Sequence, residues 1–351
     1  MNGIKKHWWK ALAVILLVYT IAFSFLVPLS PKISSASPKS LEIGSNTLTL
    51  TGYNTGFLEG EKIYACLEFE KKPLVLGENI EVLSENKIRV DFTVPEKLPS
   101  KVLNLRLNTT RFNSFAPELI KAYSVKIAND SSQYTTLTFS SSANNFDIPN
   151  RLQLNETIRN LMFHVPMWFA MMIILGISVW YSIKYLNTFD IKYDIIAREA
   201  VNIGLLFAFL GLITGSIWAK FTWSEHTNLF TTSGWWVNDV KLNGAAITTL
   251  IYLAYRILRS SLQEESQKAK VSAVYNIFAF VLMIVFIMIL PRLTDSLHPG
   301  NGGNPAFGKY DLDNTLRMVF YPAVLGWILL GVWMVNLKKR ISNIENTLDY
   351  E

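Results

Sequence analysis

The sequence predicts a polytopic α-helical membrane protein of about six transmembrane helices, with an inserted external β-sandwich-like domain. Three observations carry that expectation. Half of the 351 residues are hydrophobic, only 17% are charged and the mean hydropathy is +0.24, a balance that belongs to a membrane protein with a substantial soluble part. Six stretches have the length and low charge that a hydrocarbon core of roughly 30 Å requires, about 20 residues each. Between the first two of them the apolar spacing changes to a period of two.

The first span runs from Ala11 to Pro28. Small residues at Ser34-Ser35-Ala36 offer a peptidase site, but the apolar run exceeds the usual 7 to 15 residues of a signal core, so an uncleaved anchor (residues 1–29) is expected. Residues 30–159, on the far side of that anchor, are read as the external domain. Leu48 and Leu50, Ile88, Val90, Phe92 and Val94, Leu103, Leu105 and Leu107, and Val125 and Ile127 alternate with polar neighbours. Turn-rich stretches such as "GYNTG" and "EKLPS" separate these runs, the pattern of a small antiparallel β-sandwich. The Ser-, Asn- and Thr-rich segment 129–150 is expected to add one strand with loose flanks. This domain has no histidine, and a docking module and a spacer both fit it. The single cysteine of the chain, Cys66, cannot form an internal disulfide or a thiolate metal cluster and is read as a buried structural thiol.

Five further spans are expected at Leu161–Ile183, Val201–Trp218, Gly244–Tyr255 with its neighbours, Val271–Leu290 and Met318–Leu337, forming a membrane domain over residues 160–340 with a tail of 341–351. Lys5, Lys6 and Lys10, then Lys184, Lys192 and Arg198, then Arg256, Arg259, Lys268 and Lys270, and finally Lys338, Lys339 and Arg340 fall on one side of this arrangement. The positive-inside rule then puts both termini in the cytoplasm and the β domain outside. The formal charge of +6 follows from that topology and is not a nucleic-acid footprint.

Four histidines limit the chemistry. His7 lies beside Trp8 and Trp9, where an interfacial anchor is the ordinary role. His164 opens the second span in "LMFHVPMWF", and His298 lies in "TDSLHPGNGGNPAF" after the fifth; the topology places both on the external face with His226. Two imidazoles converging on one planar metal cofactor suit haem iron, although a single histidine at a helix end is ordinarily a cap or interfacial residue. Between them lie Trp218, Trp223, Trp235 and Trp236, apolar faces suited to a porphyrin, and Asp239 and Lys241 in "SGWWVNDVKL". Tryptophan is also the standard interfacial residue, so "SGWWVNDVKL" reads equally as an interfacial turn. Lys220, Lys241, Arg292 and Arg317 are candidate partners for propionates, or snorkelling charges. HExxH, GxSxG and P-loop patterns are absent, and "HPGNGGNP" follows no strand and opens no helix.

The residues "GLITGSIWAKFTW", "GWWVNDVKL" and "LIYLAYRILR", with "FHVPMWF" and the histidine of "TDSLHPGNGG", resemble the tryptophan-rich WWD-type haem-handling proteins of cytochrome c maturation, in particular the haem exporter protein C (CcmC) family. The resemblance covers roughly Leu161 to Leu337. It implies that His164 and His298 are axial ligands of haem iron and that Trp223, Trp235, Trp236, Asp239 and Lys241 contact the cofactor, haem b held transiently and without a covalent bond. It further implies a bacterial inner-membrane protein that presents haem to a periplasmic chaperone of the CcmE type, beside CcmA-, CcmB- and CcmD-like subunits, without enzymatic chemistry of its own. Two features depart from the family pattern: the segment "SEHTNLFTTSG" inserted between Trp223 and Trp235, which carries His226 as an additional candidate contact, and Asn238 where the family carries another Trp. The external β domain is a third. The alternative function is a membrane cytochrome b that carries electrons, whose histidines are expected inside spans. A transporter would instead show intramembrane charges or broken helices.

Overall fold

Strict alternation builds the N-terminal unit, Pro28–Asn155. In this computed structural model the described residues are 2–38, 40–60, 62–69, 72–96, 98, 102–109, 113–122, 148, 154–223, 236, 238–296, 298 and 312–348, and of 2–6, 72, 73, 102, 113–122, 155, 223 and 346 the backbone alone. The strands are β1 (Lys32–Ser37), β2 (Ser40–Leu41), β3 (Gly44–Tyr53), β4 (Ile63–Phe69), β5 (Lys72–Ser84), β6 (Lys87–Val94), β7 (Val102–Thr109) and β8 (Asn113–Ala122). They hydrogen-bond in the order β1-β3-β6-β5-β4-β7-β8-β2. All pairs are antiparallel except β2 with β8.

The register explains the core. Leu48 faces Val90 and Leu50 faces Ile88 across β3 and β6, and these four, with Phe92, Leu103, Leu105 and Leu107, are fully buried. The expected two-sheet sandwich is realised as one sheet curled towards closure. β5 pairs with β4 through Leu76 and with β6 from Gly77 onward, so it belongs to both faces, and β1 comes alongside β8. At the corner a Cβ on Gly77 would sit 2.5 Å from Val90 Cγ1 and 3.0 Å from Ala65 Cβ, so the bend requires glycine. Cys66 is fully buried, as expected. The expected strand at Val125 and Ile127 lies outside the described residues, as does segment 129–150 apart from Ile148.

The second unit joins the N-terminal helix to the remainder, Met1–Val27 with Glu156–Glu351. Its helices are α1 (Asn2–Leu26), a 3-10 helix (Asn155–Met162), α2 (His164–Thr188), α3 (Ile191–Trp223), α4 (Val240–Ser261), α5 (Glu265–Ile284), a π turn (Val285–Ile289), α6 (Leu290–Leu293) and α7 (Asn314–Leu348). Five segments are long and apolar enough to cross a membrane: His7–Leu26, Glu156–Thr188, Ile191–Thr222, Glu265–Leu293 and Asn314–Glu345. The chain is thus a multi-pass membrane protein. The remaining expected span coincides with α4, whose 22 residues reach about 33 Å at 1.5 Å per residue. Lys241, Asn243, Arg256 and Arg259 keep its apolarity below that of the other five.

Packing explains why α4 carries charge. Arg259 and Asp194 of α3 form a buried bidentate pair, with Nη1 2.8 Å from Oδ1 and Nη2 2.5 Å from Oδ2. Each charge is neutralised where water is scarce. Asn276 of α5 donates to both Ser178 and Ser182 of α2, at 2.9 Å each, a polar tie of the kind that joins helices in lipid. Around these ties Met171, Ile174, Leu175, Val201, Phe207, Tyr252 and Met283 form the apolar core.

Candidate functional site

His164 is the first residue of α2 and is buried. It packs edge-on against Trp168, one turn later on α2, at 6.2 Å between ring centroids, and against Trp218 of α3 at 5.7 Å. The ring lies against the backbone of α3 at Gly215, where a Cβ would lie 2.5 Å from His164 Cε1. One position before that glycine, Thr214 Oγ1 lies 3.1 Å from His164 Nδ1. The Thr214 hydroxyl gives its hydrogen to the carbonyl of Leu210 at 2.8 Å, so towards the imidazole it acts as an acceptor. That arrangement favours the Nδ1–H tautomer, which puts the lone pair of the neutral ring on Nε2.

The other histidine is oriented by Asp239, the N-cap of α4. Asp239 Oδ1 accepts from the backbone N–H of Lys241 at 2.9 Å and of Leu242 at 3.2 Å, satisfying helix-end donors. The same oxygen lies 2.8 Å from Nδ1 of His298, and Oδ2 accepts from the Ser296 hydroxyl at 2.8 Å. Ser296 Oγ in turn accepts from the backbone N–H of His298 at 3.2 Å. An ionised carboxylate only accepts, so Nδ1 of His298 is protonated as well and its lone pair also resides on Nε2. Burial holds the His298 imidazole below its usual basicity, opposed by the Asp239 hydrogen bond and reinforced by the Lys241 charge.

The two imidazoles lie within electrostatic reach of each other, and Lys241 acts on both of them, with Asp239 and Arg292 also near its ammonium. The site therefore gathers the start of α2, the end of α3, the start of α4 and the segment after α6. Trp236 is 42% exposed. Its Nε1 donates to Asn243 Oδ1 at 2.8 Å, and Asn243 Nδ2 donates to Asn238 Oδ1 at 2.7 Å. Asn243 thus ties the Trp236 indole to the first turn of α4, and Asn238 in turn holds the Asn243 amide. Trp223 ends α3 with its backbone alone described; Trp235 and His226 lie outside the described residues.

Among the described residues no group of three or more His, Cys, Asp or Glu side chains is placed to hold a metal ion. A pair of Nε2 lone pairs is the donor set of a metal whose other ligands arrive with a macrocycle. Trp218 Nε1, Thr222 Oγ1 and Arg317 Nε are three of ten buried side-chain polar atoms with no hydrogen-bond partner among the described residues, which are spread over both units and so do not by themselves mark a ligand. Thr214, Gly215, Trp168, Ser296 and Asn243 were not singled out from the sequence. Helical spacing was the available signal for Trp168, four residues after His164, and for Thr214, four before Trp218.

A family model described as heme exporter protein C matches residues 108–349. The chain is 29% identical over 132 residues to a heme exporter protein C of Bradyrhizobium diazoefficiens, covering 37% of this chain and 46% of that protein. It is 26% identical over 204 residues to that of Haemophilus influenzae, covering 55% of this chain and 74% of that protein. A cytochrome c biogenesis protein CcsA of Prochlorococcus marinus is 25% identical over 99 residues, 28% of this chain and 29% of that protein.

Proposed function

The chain belongs to the heme exporter protein C family, a haem-handling family of cytochrome c biogenesis, and from that premise we propose that it binds haem b reversibly at one end of its membrane unit and presents it to a periplasmic haem chaperone of the CcmE type. The observation that carries this reading is that Nδ1 of His164 and Nδ1 of His298 each lies within hydrogen-bond distance of a protein oxygen, Thr214 Oγ1 at 3.1 Å and Asp239 Oδ1 at 2.8 Å, which favours Nε2 as the metal-facing nitrogen of each ring. In this reading they would hold the haem iron, which, when bound, would accept an electron pair from each ring. Every other role falls to the chain. Trp236, with Trp235 and Trp223, covers the ring and excludes water; Lys241, Arg292 and Arg317 supply cationic partners for the propionates. None of these side chains makes or breaks a covalent bond.

Release to a partner favours a site at the end of a helical unit, where His164 opens α2 and His298 follows α6. That placement also speaks against the cytochrome b reading, because haems of electron-carrying spans are ligated from mid-helix. With α4 counted as crossing, both termini lie in the cytoplasm of a bacterial inner membrane and the β domain lies in the periplasm, beside CcmA-, CcmB- and CcmD-like subunits. The delivery step is tested by mixing haem-loaded full-length protein in detergent with a purified periplasmic chaperone and separating them by affinity tag. Haem is expected to move to the chaperone fraction; haem that stays wholly with this chain would count against delivery.

A further inference from the structure

Both candidate ligands have a second nitrogen held by the protein, but the holders differ in charge. His298 Nδ1 faces an ionised carboxylate, Asp239, 1% exposed and fixed by two backbone N–H groups and the Ser296 hydroxyl. His164 Nδ1 faces the neutral hydroxyl of Thr214, held to Leu210. A carboxylate partner polarises the N–H bond and raises the donor strength of the opposite nitrogen, whereas a hydroxyl oxygen does so far less.

Resting on the haem-binding reading, we propose that Asp239 and Thr214 are positioning residues that fix both imidazoles as Nδ1–H tautomers and make the two axial bonds unequal, His298 the stronger and His164 the weaker. The ligand exchanged first on hand-over is then His164. This assigns Asp239 to the histidine rather than to the rim of the haem. It also gives the Trp-Trp-x-x-Asp spacing a physical purpose: the residue that caps α4 after the tryptophans also orients an iron ligand 59 positions later.

The order of exchange can be read with carbon monoxide on the dithionite-reduced, haem-loaded full-length protein. Carbon monoxide forms an Fe–C bond as one Fe–Nε2 bond breaks, and the displaced lone pair returns to its imidazole, with no change in oxidation state. The Fe–CO stretching band of the parent is expected to coincide with that of His164→Ala and to differ from that of His298→Ala. Coincidence with His298→Ala instead would overturn the proposed order. Two milder variants report on the positioning residues. Asp239→Asn keeps a strong N-cap and an acceptor for Nδ1 but removes the charge, so the low-spin spectrum persists and the midpoint potential rises; an unchanged potential refutes the role of the carboxylate. Thr214→Val, nearly isosteric, is expected to lose haem about tenfold or more and to show a high-spin fraction that Thr214→Ser restores. Unchanged haem retention and spin state in Thr214→Val would remove Thr214 from the scheme. Should His164→Ala and His298→Ala both keep the parent spectrum, the haem-ligand reading itself fails. Should they lose it while Asp239→Asn and Thr214→Val behave as the parent, only the positioning proposal fails.

Discussion

Asp239 Oδ1 lies 2.8 Å from Nδ1 of His298 while the same carboxylate caps helix α4. One side chain therefore joins the start of α4, just after the tryptophan pair, to the segment beyond α6. Removing it affects two structures at once. Asp239→Ala is expected to cost about 1–2 kcal/mol from the lost cap alone and to release the His298 segment, whereas Asp239→Asn keeps most of the cap. Thermal unfolding in detergent, comparing the two variants, checks this; equal loss in both would mean that the cap contributes little.

Gly215 is the contact point between α3 and the His164 ring. With a Cβ at this position 2.5 Å from His164 Cε1, Gly215→Ala is expected to push the imidazole aside and lower haem retention, while α3 still inserts, since alanine suits a helix interior. Haem content per protein, measured beside membrane localisation, decides it. Parent-like haem content in the variant would mean that α3 and the ring separate without consequence.

The buried pair Arg259–Asp194 ties α4 to α3. Arg259→Ala leaves an unpaired buried carboxylate and is expected to destabilise the unit by about 3–5 kcal/mol. The double change Arg259→Leu with Asp194→Leu removes both charges and should recover much of that loss. A double variant no more stable than the single one would show that the helices need the ion pair itself.

Cys66 tests the N-terminal unit independently of haem. Burial, with the Glu68 charge assisting, pushes its thiol up to about 11, so only about one molecule in ten thousand carries the reactive thiolate near pH 7. The raised value favours the thiol form throughout the neutral range, and reactivity returns only as the pH approaches the thiol's own pKa or as the sheet opens. Maleimide is expected to leave native protein unlabelled and to label it fully in denaturant; rapid labelling of native protein would mean that Cys66 is accessible.

Much of the fold was legible because two periodicities are strong. Ile88, Val90, Phe92 and Val94 alternate in sequence and all four point into the core. The curl of the sheet was not legible, because it depends on Gly77 letting β5 serve two neighbours, and an isolated glycine in a strand pattern signals only a bulge or a close approach. Among the helices, α4 was the ambiguous one: its Arg259 is paired within the bundle, and a pairing partner 65 positions away leaves no mark on local hydropathy. At the site, His164, His298 and Asp239 were visible by residue type and position, while the hydrogen bonds that link Asp239 to His298 and Thr214 to His164 were not. Asn238 read as a departure from the family pattern; in place it binds Asn243, which holds Trp236.

Low-temperature electron paramagnetic resonance of the ferric, haem-loaded full-length protein decides whether His164 and His298 together hold haem iron. A low-spin bis-imidazole signal is expected in the parent and is expected to disappear in His164→Ala and in His298→Ala separately, each giving way to a high-spin signal or to loss of haem. Retention of the parent signal in both variants would overturn the assignment.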